Sequence, residues 1–163
     1  MKKWSRALAV VALTASAAAA VPAASAAAAG EVSILTFADK CLDVRGQSGA
    51  DHVQIVQYRC NGMSNQQFRI RDVGNGEVEI RTFADKCLDV KGRNGADHAR
   101  IVQYQCNGLF NQRFRIENVG NGEVVIKTFA DKCFDVRGRS TADDAQIVQY
   151  QCNGLFNQRF RIS

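Results

Sequence analysis

The chain has 163 residues, with 21 lysines and arginines against 16 aspartates and glutamates, a formal charge of +5, six cysteines and two histidines. Three of the basic residues sit in the opening MKKWSR, so the rest of the chain carries 18 basic against 16 acidic side chains with the signs interleaved. That balance leaves no basic cluster of the kind that tracks nucleic-acid phosphates or an anionic membrane, and no nucleic-acid partner is expected.

MKKWSR runs into an apolar, alanine-rich stretch from Ala7 to about Val21, the layout of a secretory signal peptide. Small residues at Ala24, Ser25 and Ala26 supply an A-x-A cleavage region. Pro22 interrupts the run and no basic stop-transfer flank follows, which argues against a membrane anchor and against membrane insertion. The reading is a signal over residues 1–28, with an approximate cut, and a secreted, extracellular domain over residues 29–163.

That domain repeats with a period of 46. Cys41, Cys87 and Cys133 keep this spacing, as do Cys60, Cys106 and Cys152, and 32 of 41 positions are identical between residues 77–117 and 123–163. The units are 31–76, 77–122 and 123–163. A unit of this size cannot bury a core alone, so three of them are expected to share one, most simply around a threefold axis.

Within the second unit the signals, in chain order, are all for strands and turns. Val78, Ile80 and Thr82 alternate with Glu79 and Arg81, CLDV and ARIVQYQC are β-branched and aromatic, RFRIENV alternates again, and Gly120-Asn121-Gly122 marks a tight turn. Four short strands per unit give about twelve in a closed or nearly closed all-β body. Phe68, Phe114 and Phe160 occupy equivalent positions and are expected in its core. Asp39, Asp85 and Asp131 in FADKC are expected to cap turn N–H groups.

Six cysteines permit fifteen pairings, and repeat symmetry favours Cys41–Cys60, Cys87–Cys106 and Cys133–Cys152. Each would close a loop of about 20 residues and stabilise by roughly 3 kcal/mol in the chain-entropy model. A metal site is the weaker reading: there is no C-x-x-C, and Asp144 stands where the other units have His52 and His98. No metal or other cofactor is expected.

The run C-L-D-V, an aromatic-x-Cys nineteen residues after the first Cys, and then N-Q-x-aromatic resembles the ricin-type β-trefoil lectins and related carbohydrate-binding modules over all three units. The family's Q-x-W motif stands here as Gln66-Gln67-Phe68, Gln112-Arg113-Phe114 and Gln158-Arg159-Phe160, with Phe in place of Trp each time. The resemblance implies a β-trefoil with pseudo-threefold symmetry. It also implies a sugar-contacting carboxylate at Asp43, Asp89 and Asp135, a stacking aromatic at Tyr58, Tyr104 and Tyr150, and a polar partner at Asn65, Asn111 and Asn157. Gln66, Gln112 and Gln158 are neighbours that either touch sugar or support the fold. Where some members place a glutamine this chain has Val56, Val102 and Val148; Gln57, Gln103 and Gln149 come one residue later, on the opposite face of a strand.

The residue chemistry agrees with that assignment. A pyranose has an apolar C–H face and a rim of hydroxyls, so one flat aromatic with a few convergent polar groups suits it. A carboxylate accepts from two hydroxyls, and an amide both donates and accepts. Against this, Tyr58 and its copies could be buried barrel aromatics, and Phe110 and Phe156 could either extend a sugar platform or pack a loop. Substitutions at Ser64, Phe134, Thr141 and Asp144 predict that the sites are unequal.

The expected function is a non-catalytic, multivalent lectin with up to three sites, monomeric, binding glycans or polysaccharides of galactose, mannose or xylan type. An enzyme fits poorly, because no nucleophile or metal motif is present. A trefoil protease inhibitor or protein-binding module is the alternative, and such inhibitors use one unique loop, whereas every loop here has near-copies. A three-unit β-prism lectin lacks its Q-x-D-x-N-x-V-x-Y pattern in this chain.

Overall fold

A computed structural model describes residues 30–163; the segment read as an export signal lies outside the described residues. Among the described residues there are twelve strands, β1 (Ile34–Thr36), β2 (Lys40–Val44), β3 (Ile55–Arg59), β4 (Arg69–Gly74), β5 (Glu77–Arg81), β6 (Cys87–Val90), β7 (Ile101–Tyr104), β8 (Arg115–Gly120), β9 (Glu123–Lys127), β10 (Lys132–Val136), β11 (Ala145–Gln151) and β12 (Phe160–Ile162). All pairings are antiparallel. No described helix is long and apolar enough to cross a membrane.

Six strands close a barrel. Hairpins β4–β5 and β8–β9 supply two of its three ribbons, and the third joins the ends of the fold, with Ile34 of β1 opposite Ile162 of β12. Equivalent contacts Val32–Phe68, Val78–Phe114 and Val124–Phe160 link neighbouring ribbons, so the ring has no free edge. The other six strands form hairpins β2–β3, β6–β7 and β10–β11, which cap one end. This is the β-trefoil.

The turns follow their sequences. Between β8 and β9 only Asn121 and Gly122 intervene, both with positive φ (54° and 74°), the conformation a two-residue hairpin loop demands. Asp39, Asp85 and Asp131 also sit at positive φ, which a short polar side chain tolerates. Their expected capping role is replaced by ion pairs to Arg161, Arg69 and Arg115, while in the first and third of these turns the Thr36 and Thr128 hydroxyls accept from the Ala38 and Ala130 N–H groups.

Phe68, Phe114 and Phe160 are buried in the shared core with Leu42, Leu88, Ile34, Ile80 and Ile126. Phe134, expected near a binding site, lies in this core instead and meets Phe114 and Phe160 edge to face at 5.1 and 6.4 Å between ring centroids. Its strand position, equivalent to Leu42 and Leu88, points inward. The three predicted disulfides are formed.

One residue breaks the threefold pattern at its centre. The Nε2 of Gln54 shares its two N–H groups among the carbonyls of Ile55, Ile101 and Ile147, at 2.8, 3.0 and 2.9 Å. These carbonyls are one repeat apart, so a single buried amide ties the three caps together, while its counterparts Arg100 and Gln146 lie nearer solvent. Gln54→Leu should therefore lower stability by about 1–3 kcal/mol, since buried acceptors lose their donor, a loss partly offset by removal of the unpartnered buried Gln54 Oε1. Gln146→Leu should cost far less, and denaturant midpoints of the two disulfide-bonded variants measure the difference.

Candidate functional site

Each cap hairpin brings an aspartate and a tyrosine to one face. In the first, Cys41 pairs with Tyr58 and Asp43 with Val56, so Asp43 and Tyr58 are diagonal neighbours, each two residues from a half of the Cys41–Cys60 disulfide. The second and third hairpins repeat this register. A short 3-10 turn, Ser64–Gln66, then carries Asn65 and Gln66 beneath them; Phe110–Gln112 and Phe156–Gln158 are its copies.

Gln66 is a bracket for the carboxylate. Its Nε2 donates to Asp43 Oδ2 at 2.8 Å and to the Arg59 carbonyl at 3.0 Å, and its Oε1 accepts from the Asn61 N–H at 2.9 Å. Gln112 and Gln158 hold Asp89 and Asp135 in the same way, each at 2.9 Å. These glutamines are buried, with their amides engaged by the fold. Asn65, Asn111 and Asn157 each donate to a carbonyl of the aspartate's own strand, at Val44, Val90 and Val136.

Above each aspartate lies an open cleft. The first, about 350 Å³, is lined by Asp43, Tyr58, Asn61 and Asn65 with Arg45, Gln47 and Asp144. The second, about 230 Å³, has Asp89, Tyr104, Asn107 and Asn111 with Arg93 and His52. The third, about 210 Å³, has Asp135, Tyr150, Asn153 and Asn157 with Arg139 and His98. Every cleft thus borrows one residue from the preceding repeat: the second takes His52, the third His98, and the first takes Asp144 from the third repeat. The sequence reading assigned these three residues to their own units, and a signal for the exchange was absent, since it is made by a loop reaching across a seam.

The reach is fixed by backbone chemistry. Gln103 Nε2 donates to the carbonyls of Ser48 and Ala50, both at 2.7 Å, and the Gln103 carbonyl accepts from the His52 N–H at 2.8 Å. Asp51 beside it takes Lys86 Nζ at 2.5 Å and the Gln105 N–H at 3.1 Å. Gln149 and Gln57 brace the next two loops in the same manner. The lysine hydrogen bonds hold the Asp51, Asp97 and Asp143 carboxyls below the ordinary aspartate range. His52, His98 and Asp144 all have φ near +64°, which asparagine, aspartate and histidine adopt more readily than most residues. Their rings and carboxylate are held over the cleft, with His52 4.7 Å from the Tyr104 ring and His98 5.0 Å from Tyr150, centroid to centroid.

Burial raises the carboxyls of Asp43, Asp89 and Asp135 above the ordinary 3.8, opposed by the glutamine and asparagine amides. In the first cleft Asp144 and Asp143 push the same way as burial; in the others a histidine and an arginine push against it. Phe110 and Phe156 do not line the clefts. They pack edge to face on Phe129 and Phe37 of the next repeat, at 4.8 and 4.9 Å, and Ser64 leaves the first seam without such a pair.

The model of the ricin-type beta-trefoil lectin domain matches residues 29–160. Among solved structures, the designed threefold-symmetric protein ThreeFoil is 32% identical, covering 81% of this chain and 96% of its own, with a TM-score of 0.79. An exo-beta-1,3-galactanase from Clostridium thermocellum has the same identity and TM-score over 81% of this chain, which corresponds to only 29% of that enzyme. The ricin B-like lectin of Macrolepiota procera, solved with lactose, shares the fold at 18% identity and a TM-score of 0.71, over 84% of this chain and 96% of its own. Comparison with curated protein sequences gives no match. With the family's domain matched across nearly all of the described residues, and its fold and repeat motifs present in each unit, the chain belongs to the ricin-type β-trefoil lectin family.

Proposed function

We propose that this chain is a secreted, non-catalytic lectin whose three seam clefts bind saccharides, acting as a monomer on glycans or polysaccharides of galactose, mannose or xylan type. The observation that carries the reading is the threefold recurrence of one buried carboxylate, held by a glutamine amide, beside a half-buried tyrosine and an asparagine at the wall of an open cleft. The tyrosine ring would face the apolar side of a pyranose while Asp and Asn take its hydroxyls. Asn111 Oδ1 and Asn157 Oδ1 have no donor among the described residues, so a sugar hydroxyl would satisfy a buried acceptor. A lone carboxylate in the second and third clefts supports binding over hydrolysis, because glycosidases use two within ~10 Å. The lectin domain model, the Macrolepiota procera lectin and the galactanase named above support a glycan target. Export rests on residues 1–28, outside the described structure.

A glycan array with the wild type and Asp43→Asn, Asp89→Asn and Asp135→Asn tests the assignment. The amide keeps the shape and the bond from glutamine but loses the charge. Each change should weaken its own cleft by roughly tenfold to a hundredfold, the worth of a hydrogen bond to a charged group. Identical arrays for all four proteins, or no binding by any, would overturn the reading.

Acid should release sugar before it unfolds the protein. Binding that needs the ionised Asp43, Asp89 and Asp135 is lost as pH falls through their raised values, above 3.8. These groups do not themselves favour unfolding in acid, since a raised folded-state value gives stability present below 3.8 and lost as pH rises. Asp51, Asp97 and Asp143, with lowered values, contribute stability above 3.8 that disappears only as pH drops through those lower values. Sugar titrations and circular dichroism across pH 2–6 (approximate limits) should therefore give two separate midpoints, binding failing at the higher pH.

A further inference from the structure

Positions 47 and 144 are almost a hundred residues apart, yet both face the first cleft, and both differ there from the other two. Gln47 stands where the second and third clefts have Arg93 and Arg139, and Asp144 where they have His52 and His98. Asp, Tyr and the two asparagines are kept in all three. Two substitutions from different repeats thus converge on one cleft, and each makes it more negative.

The consequences for hydrogen bonding run in parallel. Gln47 Nε2 donates to Asn65 Oδ1 at 3.4 Å, and Asp144 pairs with Arg45 at 3.3 Å, so the first cleft satisfies its own polar groups. Among the described residues Arg93 and Arg139 make no ion pair, and beside them Asn111 Oδ1 and Asn157 Oδ1, each buried, have no donor. An unpaired guanidinium over a buried acceptor suits a ligand with an anionic group next to a hydroxyl, since the arginine fork takes a carboxylate or sulfate in bidentate fashion.

Resting on the saccharide-binding reading, we propose that the second and third clefts take an acidic saccharide, with Arg93 and Arg139 receiving its anionic group, and that the first cleft does not. Specificity is set at the seams by charge: the neighbour's His52 or His98 brings no negative charge to the cleft wall, whereas Asp144 repels the anion.

The test is an NMR titration of the disulfide-bonded protein, following amides around each cleft, with digalacturonate, its methyl ester, galactose 6-sulfate and galactose. The second and third clefts should bind digalacturonate about tenfold more tightly than the ester, a preference that weakens with added salt, and the first cleft should show no such preference. The sulfate arm separates the anions: preference over galactose there assigns the arginines to sulfate as well as carboxylate. Arg93→Gln and Arg139→Gln should abolish the preference. Glutamine is native at the equivalent Gln47 with the same φ of 55°, so these variants are expected to fold. The double change Gln47→Arg with Asp144→His should confer the preference on the first cleft. Equal affinity for acid and ester in the second and third clefts, or a preference that survives the arginine changes, overturns the proposal while leaving saccharide binding intact. Failure of every ligand to shift any cleft overturns this proposal, and saccharide binding itself is then decided by the glycan array.

Discussion

A 46-residue unit exposes apolar surface on both flanks, and closing those flanks against two neighbours is the constraint on which the rest of this molecule depends. The core phenylalanines meet only because three units converge, and the barrel has no edge because its first and last strands pair. The caps converge as well, on the single amide of Gln54. Stability and ligand chemistry are consequently located at the seams, where one unit ends and the next begins.

The seams are polar rather than greasy, and that is what lets them carry a site. Each cap loop is pinned to its neighbour by a buried glutamine amide and by a lysine–aspartate pair, with backbone carbonyls as acceptors. These contacts orient a residue at positive φ over the next unit's carboxylate without using that residue's own side chain. The side chain is left free to differ, as histidine or aspartate, while the scaffold beneath it stays the same. A buried amide behind the aspartate fixes its position in turn, so the cleft is built from rigid parts on both walls.

Much of the fold was legible in the chain because period and alternation are local signals. The 46-residue spacing gave the three units, the cysteine symmetry gave the pairings, and β-branched runs bounded by glycine turns gave the strands. The positions of Asp43, Tyr58, Asn65 and their copies came from the resemblance to the ricin-type family, carried over residue by residue along its motif. What the chain concealed was contact across units. Asp144 looked like an oddity of the third repeat, and only the loop's path shows it opposite Asp43. Phe134 looked like a site substitution because it neighbours Asp135 in sequence, but adjacent strand residues face opposite sides, and it fills the core. The axial role of Gln54 was hidden for a related reason, since two of its three partners lie one and two repeats away.

The pairing of β1 with β12 sets the first cleft apart in time as well as in chemistry. In the second and third clefts the two walls lie 37 positions apart along the chain, from His52 to Asp89 and from His98 to Asp135. In the first they are 101 apart, from Asp43 to Asp144, and belong to opposite ends of the domain. The entropy of closing a loop grows with its length, and distant contacts form late. A chain emerging from its N-terminus holds every residue of the second cleft once two repeats are present, whereas the residues of the first are complete only with the third repeat. The first cleft is the one whose existence certifies that the ring has closed.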